Sequence, residues 1–304
     1  MARILVCDPI SPDAVAEMKA AGHEVAEKPG MTPEELLATV SGYDAMIVRS
    51  ATKVTRPVLE KAAGTLKLVV RGGVGLDNID AEAAREFGVK VMNTPAASSI
   101  AVAELTMAHM LACCRFLTRA DRTCKEGKWE KKAFSKGIEL WHSTLGLVGF
   151  GRIAREVAKR ALAFEMKVIF YDPFVNDAGG MDAKKVDLDT LCRESDFISL
   201  HLPMSPETRH IISKKQFDMM KQGVVVVNCA RGGTIDEPAL AEALKSGKVF
   251  AAGTDVFEKE PPEDLSLVSC ENLTATPHIG AGTGGATSRV GGEVSRIVIE
   301  HFKK

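Results

Sequence analysis

Three polar residues each follow a short apolar run. Arg231 comes after Val224–Val227 in the string Asn228-Cys229-Ala230-Arg231-Gly232-Gly233, Glu260 follows Val249–Thr254, and His278 follows Leu273–Thr276 in Pro277-His278-Ile279-Gly280. If the runs are parallel strands, the three side chains leave neighbouring strand ends, where open α/β sheets bind their ligands. An imidazole titrates near neutral pH and can exchange a proton there. A carboxylate beside it favours the imidazolium and fixes the ring, while a guanidinium offers paired donors to a substrate carboxylate and polarises an adjacent carbonyl. Each has an ordinary alternative when taken singly. His278 is one of seven histidines, Glu260 shares an acidic loop with Glu258 and Glu263, and Arg231 could be a surface charge. Their common position just past strand ends marks them out.

The stretch Leu145–Asp172 has the spacing of a strand, glycine turn, helix and second strand that bind a dinucleotide. Leu147-Val148 reads as the strand, and Ile153, Val157 and Ala161 recur every fourth residue, as one buried helix face requires. Gly149 permits a tight turn and Gly151 lets a pyrophosphate approach the N–H groups of the helix start. Ala154 stands in the third position of G-x-G-x-x-G/A, keeping helix and strand close. Asp172, 21 residues beyond Gly151, suits the ribose hydroxyls, although Asp-Pro also opens ordinary turns. No arginine stands in Pro173-Phe174-Val175 to hold a 2′-phosphate, so the cofactor expected is NAD rather than NADP. Transfer of a hydride from a secondary alcohol to nicotinamide also moves a hydroxyl proton, the task suited to His278.

Strand-like runs and helical patterns alternate from end to end, which implies an α/β fold of doubly wound parallel sheets. A first series has strands at Arg3–Cys7, Ala45–Val48, Leu68–Arg71 and Val89–Met92, with helices near 12–21, 33–41, 56–63 and 80–87. A second has the strands at Leu145 and Lys167, then Phe197–His201, Val224–Asn228, Val249–Thr254 and Leu273–Thr276. Between them Ser98 or Ser99 is placed to cap a long apolar helix through about Phe116, either a core helix or one packed on a second subunit. Val290, Val294, Ile297, Val298 and Phe302 mark a final helix with one apolar face. The boundaries expected are a first segment 1–94, a nucleotide-binding domain 95–280 and a returning C-terminal segment 281–304.

The 304 residues, 45% hydrophobic with a formal charge of −1, can bury two cores but give no global field for nucleic acid or a membrane surface. The N-terminus has too short an apolar run for a signal peptide and no segment reaches the length of a membrane span. Seven cysteines without a C-x-x-C pair read as reduced thiols, so a cytoplasmic location is expected. Neither H-E-x-x-H nor clustered Cys/His spacing suggests a metal.

The first series has its own polar strand ends. Arg49 and Lys53 follow Ala45–Val48 with hydroxyls between them, and Val70-Arg71-Gly72-Gly73-Val74-Gly75 follows Leu68. With Asn78 where a third small residue belongs, Gly73-x-Gly75 reads as a backbone nest able to accept a carboxylate. Lys125, Lys128, Lys131, Lys132 and Lys136 form a basic stretch, either simply solvated or, in a cleft, attractive to an anionic substrate.

Together these strings resemble the D-2-hydroxyacid dehydrogenases, and most of all the branch acting on 3-phosphoglycerate. Arg49-Ser50-Ala51-Thr52-Lys53, Asn93-Thr94-Pro95, Gly127-Lys128-Trp129-Glu130, Asn228 to Gly233, Asp255-Val256-Phe257 and Pro277 to Ala281 carry the resemblance over nearly the whole chain. It implies a Rossmann NAD-binding domain inserted into a smaller flavodoxin-like substrate domain. It implies His278 as proton-transfer residue, Glu260 as its partner and Arg231 on the substrate carboxylate. Arg152 and Ile153 would meet the pyrophosphate, with Pro203, Thr208, Cys229, Asp255 and Ala281 around the nucleotide. Arg49, Arg71, Val74 and Asn93 match substrate-side positions, and Lys131 falls where a basic residue can reach a substrate phosphate.

The implied reaction is NAD-dependent oxidation of 3-phosphoglycerate to 3-phosphohydroxypyruvate, the entry to serine synthesis, by a homodimer or homotetramer. The resemblance extends to glyoxylate or hydroxypyruvate reductases and to NAD-sensing corepressors of the same fold, which stand as alternatives. Gly282 replaces a usual serine after His278. The chain lacks the regulatory domains of longer relatives, so no serine feedback through such a domain is expected.

Overall fold

Short apolar runs buried on both faces form the central strands, and side chains that accept the first orphan N–H groups start many of the helices. The computed structural model describes residues 1–303 and divides into two units, Met1–Ser99 with the stretch from Ala281 onward, and Ile100–Gly280.

The first unit begins β1 (Arg3–Val6), α1 (Pro12–Ala20), β2 (Glu24–Glu27), α2 (Pro33–Thr39), β3 (Ala45–Val48), α3 (Arg56–Lys61), β4 (Leu68–Arg71), α4 (Ala81–Glu86) and β5 (Lys90–Asn93). Ser11 accepts the Ala14 N–H ahead of α1, and Thr32 forms a capping box with Glu35 at α2. The five strands are parallel in the order β2-β1-β3-β4-β5, a flavodoxin-like arrangement. Alternate side chains serve opposite faces. Leu5, Met46, Val48 and Val69 pack with Leu36 and Leu59, whereas Ile4, Val6, Ile47 and Val70 pack with Met18 and the C-terminal segment.

The second unit follows as α5 (Ser99–Cys114), α6 (Leu117–Lys125), β6 (Thr144–Val148), α7 (Arg152–Ala163), β7 (Lys167–Tyr171), β8 (Ala183–Lys185), α8 (Leu188–Glu194), β9 (Phe197–Leu200), α9 (Lys214–Met219), β10 (Val224–Asn228), α10 (Glu237–Lys245), β11 (Val249–Thr254) and β12 (Leu273–Ala275). Its seven strands are parallel in the order β12-β11-β10-β9-β6-β7-β8. Strand order therefore reverses between β6 and β9, which fixes the crevice for a dinucleotide at the carboxyl end of β6. The chain then returns to the first unit as α11 (Gly284–Phe302), capped by Thr283 and burying Val290, Val294, Ile297 and Val298.

Three expectations are corrected. β2 and β8 are additional strands, edge positions whose polar Glu24-Val25-Ala26-Glu27 and Ala183-Lys184-Lys185 carry no apolar signal. The long helix does not run to Phe116: that residue turns left-handed at φ 56°, and α6 leaves α5 at 65°. Phe116 stacks near Phe250 and Phe134, at 5.3 and 5.9 Å between ring centres, and that packing fixes the break. Of the two serines expected to cap this helix, Ser99 does not, its hydroxyl being buried without a hydrogen-bond partner. Among the described residues, no single helix is long and apolar enough to cross a membrane.

Candidate active site

The glycine turn after β6 has two glycines for two different reasons. Gly149 adopts φ +90°, and a Cβ there would sit 2.5 Å from the His201 carbonyl. Gly151 would meet nothing within 4 Å, so its missing side chain opens the helix start to a ligand. It caps α7 without a side-chain hydrogen bond, and no acidic residue stands in the first turn. Instead exposed Arg152 opens the helix, a cation at the positive end of a dipole, which suits an anion bound to the free N–H groups. Ile153 is half-buried beside it and Ala154 is fully buried. The donors and the opening fit the pyrophosphate of NAD.

Asp172 does the work of a turn opener and of a clamp. Its Oδ1 accepts the N–H groups of Phe174 and Val175 at 2.8 and 3.0 Å, and its Oδ2 accepts that of Phe150, in the glycine turn, at 2.8 Å. A carboxylate has about four acceptor sites, which leaves one for a ribose hydroxyl. The loop after β9 is closed by Thr208, which donates to the Pro203 carbonyl at 2.7 Å and accepts the Ser205 N–H at 2.8 Å. Cys229 is buried, and burial pushes its thiol up to about 12.

At the far side of the same sheet the two residues expected to exchange a proton are in contact. His278 Nδ1 lies 2.7 Å from Glu260 Oε2, with both side chains partly exposed. Glu260 Oε1 accepts the Phe257 N–H at 3.1 Å. Arg231 follows β10, which pairs with β11, which pairs with β12, so Arg231, Glu260 and His278 leave adjacent strand ends. Gly232, next after Arg231, makes room for protein backbone: a Cβ there would be 1.8 Å from the Phe257 carbonyl. A depression of about 390 Å³ beside the pair is lined by Phe257, Glu260, Pro261, Ala275, Thr276 and His278.

Asp255, 1% exposed, has both oxygens engaged: Oδ1 accepts from Thr276 Oγ1 at 2.6 Å and the Ile279 N–H at 2.8 Å, and Oδ2 accepts the Gly280 N–H at 2.7 Å. In this structure it holds the turn that carries His278. Ala281 follows, half-buried.

In the first unit the candidates stand at the ends of three adjacent strands. Arg49, after β3, is half-buried against Gly72, while Lys53 is exposed. Gly72 donates its N–H to the Val48 carbonyl and Gly73 to the Arg71 carbonyl, which narrows the nest to Val74 and Gly75. Asn93, at the end of β5, donates to the Val74 carbonyl at 2.5 Å. Two residues given no role of their own from the sequence hold this loop set. Asp8, after β1, accepts the N–H groups of Arg49 and Thr52 at 2.5 and 3.2 Å, and Asn78 donates to the carbonyls of the same two residues at 2.8 and 2.6 Å. The strand-end rule applied to β1 would have found Asp8. Lys131, in the second unit, is exposed with its neighbouring lysines. No group of three or more His, Cys, Asp or Glu among the described residues could hold a metal ion.

The reversed strand order and the open glycine turn define a dinucleotide-binding α/β protein. Residues 107–280 match the family described as D-isomer specific 2-hydroxyacid dehydrogenase, NAD binding domain. The chain is 50% identical over 307 residues to D-3-phosphoglycerate dehydrogenase of Methanocaldococcus jannaschii, covering 100% of this chain and 57% of that protein. It is 52% identical over 303 residues to hydroxypyruvate reductase of Thermotoga maritima, covering 99% and 98%. A crystal structure of a glyoxylate reductase from Paecilomyes thermophila superposes with a TM-score of 0.92 at 32% identity, covering 100% of this chain and 96% of that one. The chain belongs to the D-isomer-specific 2-hydroxyacid dehydrogenase family. It spans little more than half the length of the phosphoglycerate dehydrogenases it matches.

Proposed function

We propose that this chain catalyses NAD-dependent oxidation of 3-phosphoglycerate to 3-phosphohydroxypyruvate, the step that opens serine synthesis. The observation that carries the reading is the His278–Glu260 contact of 2.7 Å at the carboxyl edge of the NAD-binding sheet, in a chain half identical to a phosphoglycerate dehydrogenase. NAD, when bound, supplies the acceptor for the hydride that leaves C2. With Nδ1 directed to Glu260, His278 takes the hydroxyl proton on Nε2, and the Glu260 carboxylate stabilises the resulting cation. Arg231 binds the substrate carboxylate and polarises the reacting oxygen. Arg152, Ile153, Asp172, Pro203, Thr208, Cys229, Asp255 and Ala281 hold the nucleotide. Arg71, Gly73, Val74 and Asn93 hold the substrate, with Arg49, Lys53 and Lys131 on its phosphate. Seven free thiols suit a cytoplasmic enzyme, and exposed Trp129 and Trp141 suit assembly into a homodimer or homotetramer.

A second reading, hydroxypyruvate reductase, is favoured by the Thermotoga maritima relative, of which this chain covers 98%. That reaction needs no phosphate site. Mixing the purified chain with NAD and 3-phosphoglycerate at alkaline pH and following NADH, with D-glycerate as the phosphate-free control, separates the two. Turnover of the phosphorylated acid alone supports the first reading. Turnover of D-glycerate alone supports the second, and tight NADH binding without turnover of either supports a cofactor-sensing protein.

A further inference from the structure

His109 lies on α5, far along the chain from the residues given roles above, and is 2% exposed. Its Nε2 is 3.0 Å from Thr276 Oγ1, and its Nδ1 is buried with no hydrogen-bond partner. A buried polar atom without a partner opposes folding, so an apolar side chain would serve packing alone better. The space for the ring is made by Gly253 of β11, where a Cβ would stand 2.7 Å from His109 Cβ and 2.9 Å from Nδ1. Burial lowers the pKa of His109, against the opposing pull of Asp255, and so keeps the ring neutral.

The hydrogen bonds fix its tautomer. Thr276 has one hydroxyl proton, which it donates to Asp255 Oδ1 at 2.6 Å, so towards His109 its oxygen can only accept. His109 must therefore carry its proton on Nε2. Beyond Thr276, the Asp255 carboxylate accepts the N–H groups of Ile279 and Gly280, and the Asp255 carbonyl accepts that of His278 at 2.9 Å. His278 itself is left-handed at φ 53°, a conformation that a side-chain-bearing residue keeps only when its surroundings hold it.

We propose that His109 is a positioning residue that holds the His278 turn through the chain His109–Thr276–Asp255. The proposal rests on the reading of His278 as the proton-transfer residue. It adds that the ring's placement is set from helix α5, by a buried donor that acts on His278 only through Thr276 and Asp255.

The test compares the full chain with His109→Phe and His109→Gln, a glutamine amide reaching the position of Nε2 with a donor. Ring 15N shifts of the unsubstituted protein should show the Nε2–H tautomer at His109. Loss of the donor in His109→Phe should speed amide exchange at Ile279 and Gly280 roughly tenfold and lower kcat roughly tenfold, with KM for NAD within about twofold. His109→Gln should return both to within about threefold. An Nδ1–H tautomer, wild-type exchange in His109→Phe, or a glutamine variant no better than phenylalanine would overturn the proposal. If His109→Phe does not fold, Thr276→Val interrupts the same link, and unchanged Gly280 exchange in it would be equally decisive. Tautomer and exchange are read without substrate. If the unsubstituted chain turned over no hydroxy acid, the reading of the function would fail while these two measurements still judged the link.

Discussion

Glu260 Oε2 lies 2.7 Å from His278 Nδ1 while its second oxygen accepts the Phe257 N–H. Held at both oxygens, the carboxylate fixes the rotation of the imidazole and leaves Nε2 as the ring nitrogen that Glu260 does not engage. Replacing His278 by Gln should lower kcat roughly 100- to 10,000-fold, the range for loss of a positioned acid–base group. The dissociation constant for NADH, read by fluorescence, should barely move, because the glycine turn lies at β6. Unchanged turnover would remove His278 from the proton-transfer role.

Asp172 ties the glycine turn to the end of β7 through three backbone N–H groups. Asp172→Ala should cost about 2 kcal/mol or more of stability by leaving those donors without an acceptor. Its Tm should fall by a few degrees even without cofactor. KM for NAD should rise roughly tenfold, as expected for a lost charge-assisted hydrogen bond. An unchanged Tm with a raised KM would assign Asp172 to the nucleotide alone.

Six of the seven cysteines are buried and Cys124 is exposed. Burial pushes the thiols of Cys7, Cys113, Cys192 and Cys229 up to about 12, so they carry almost no reactive thiolate at pH 8. Iodoacetamide should label Cys124 alone in the folded protein and all seven in denaturant. Peptide mass mapping checks this, and rapid labelling of Cys229 in the native protein would contradict its burial.

His201, at the end of β9, has its pKa lowered to about 3 by burial. Between that value and the ordinary one near 6.5, the unfolded chain binds a proton that the folded chain refuses, so stability rises with pH. The contribution is complete above pH 6.5 and is lost as pH falls towards 3. Tm should therefore drop as the buffer is taken from pH 7 to pH 4, and His201→Gln should flatten that slope whatever its effect on Tm at pH 7. An equally steep profile in the variant would place the acid sensitivity elsewhere.

Much of this molecule is legible in one dimension. Val224–Asn228 is apolar enough to be buried on both faces wherever it lies. The spacing of Gly149, Gly151 and Ala154 expresses local needs of one turn and one helix start. Such features depend on neighbours in the chain, so the sequence by itself determined the parallel α/β class, the dinucleotide turn and the strand ends carrying Arg231, Glu260 and His278. Edge strands β2 and β8 were not legible, because a strand with one neighbour needs no apolar run. Nor was the break at Phe116, which is set by rings from Phe134 and Phe250.

The tertiary structure alone decided what the polar residues bond. Asp8, after β1, and Asn78, in the loop between β4 and α4, grip the Arg49–Thr52 loop. Gly232 makes room for the Phe257 backbone, and Asp255 is engaged by the turn that carries His278. A side chain has several possible partners of suitable chemistry along the chain. Only the packed fold brings one of them within hydrogen-bonding distance and excludes water from the rest.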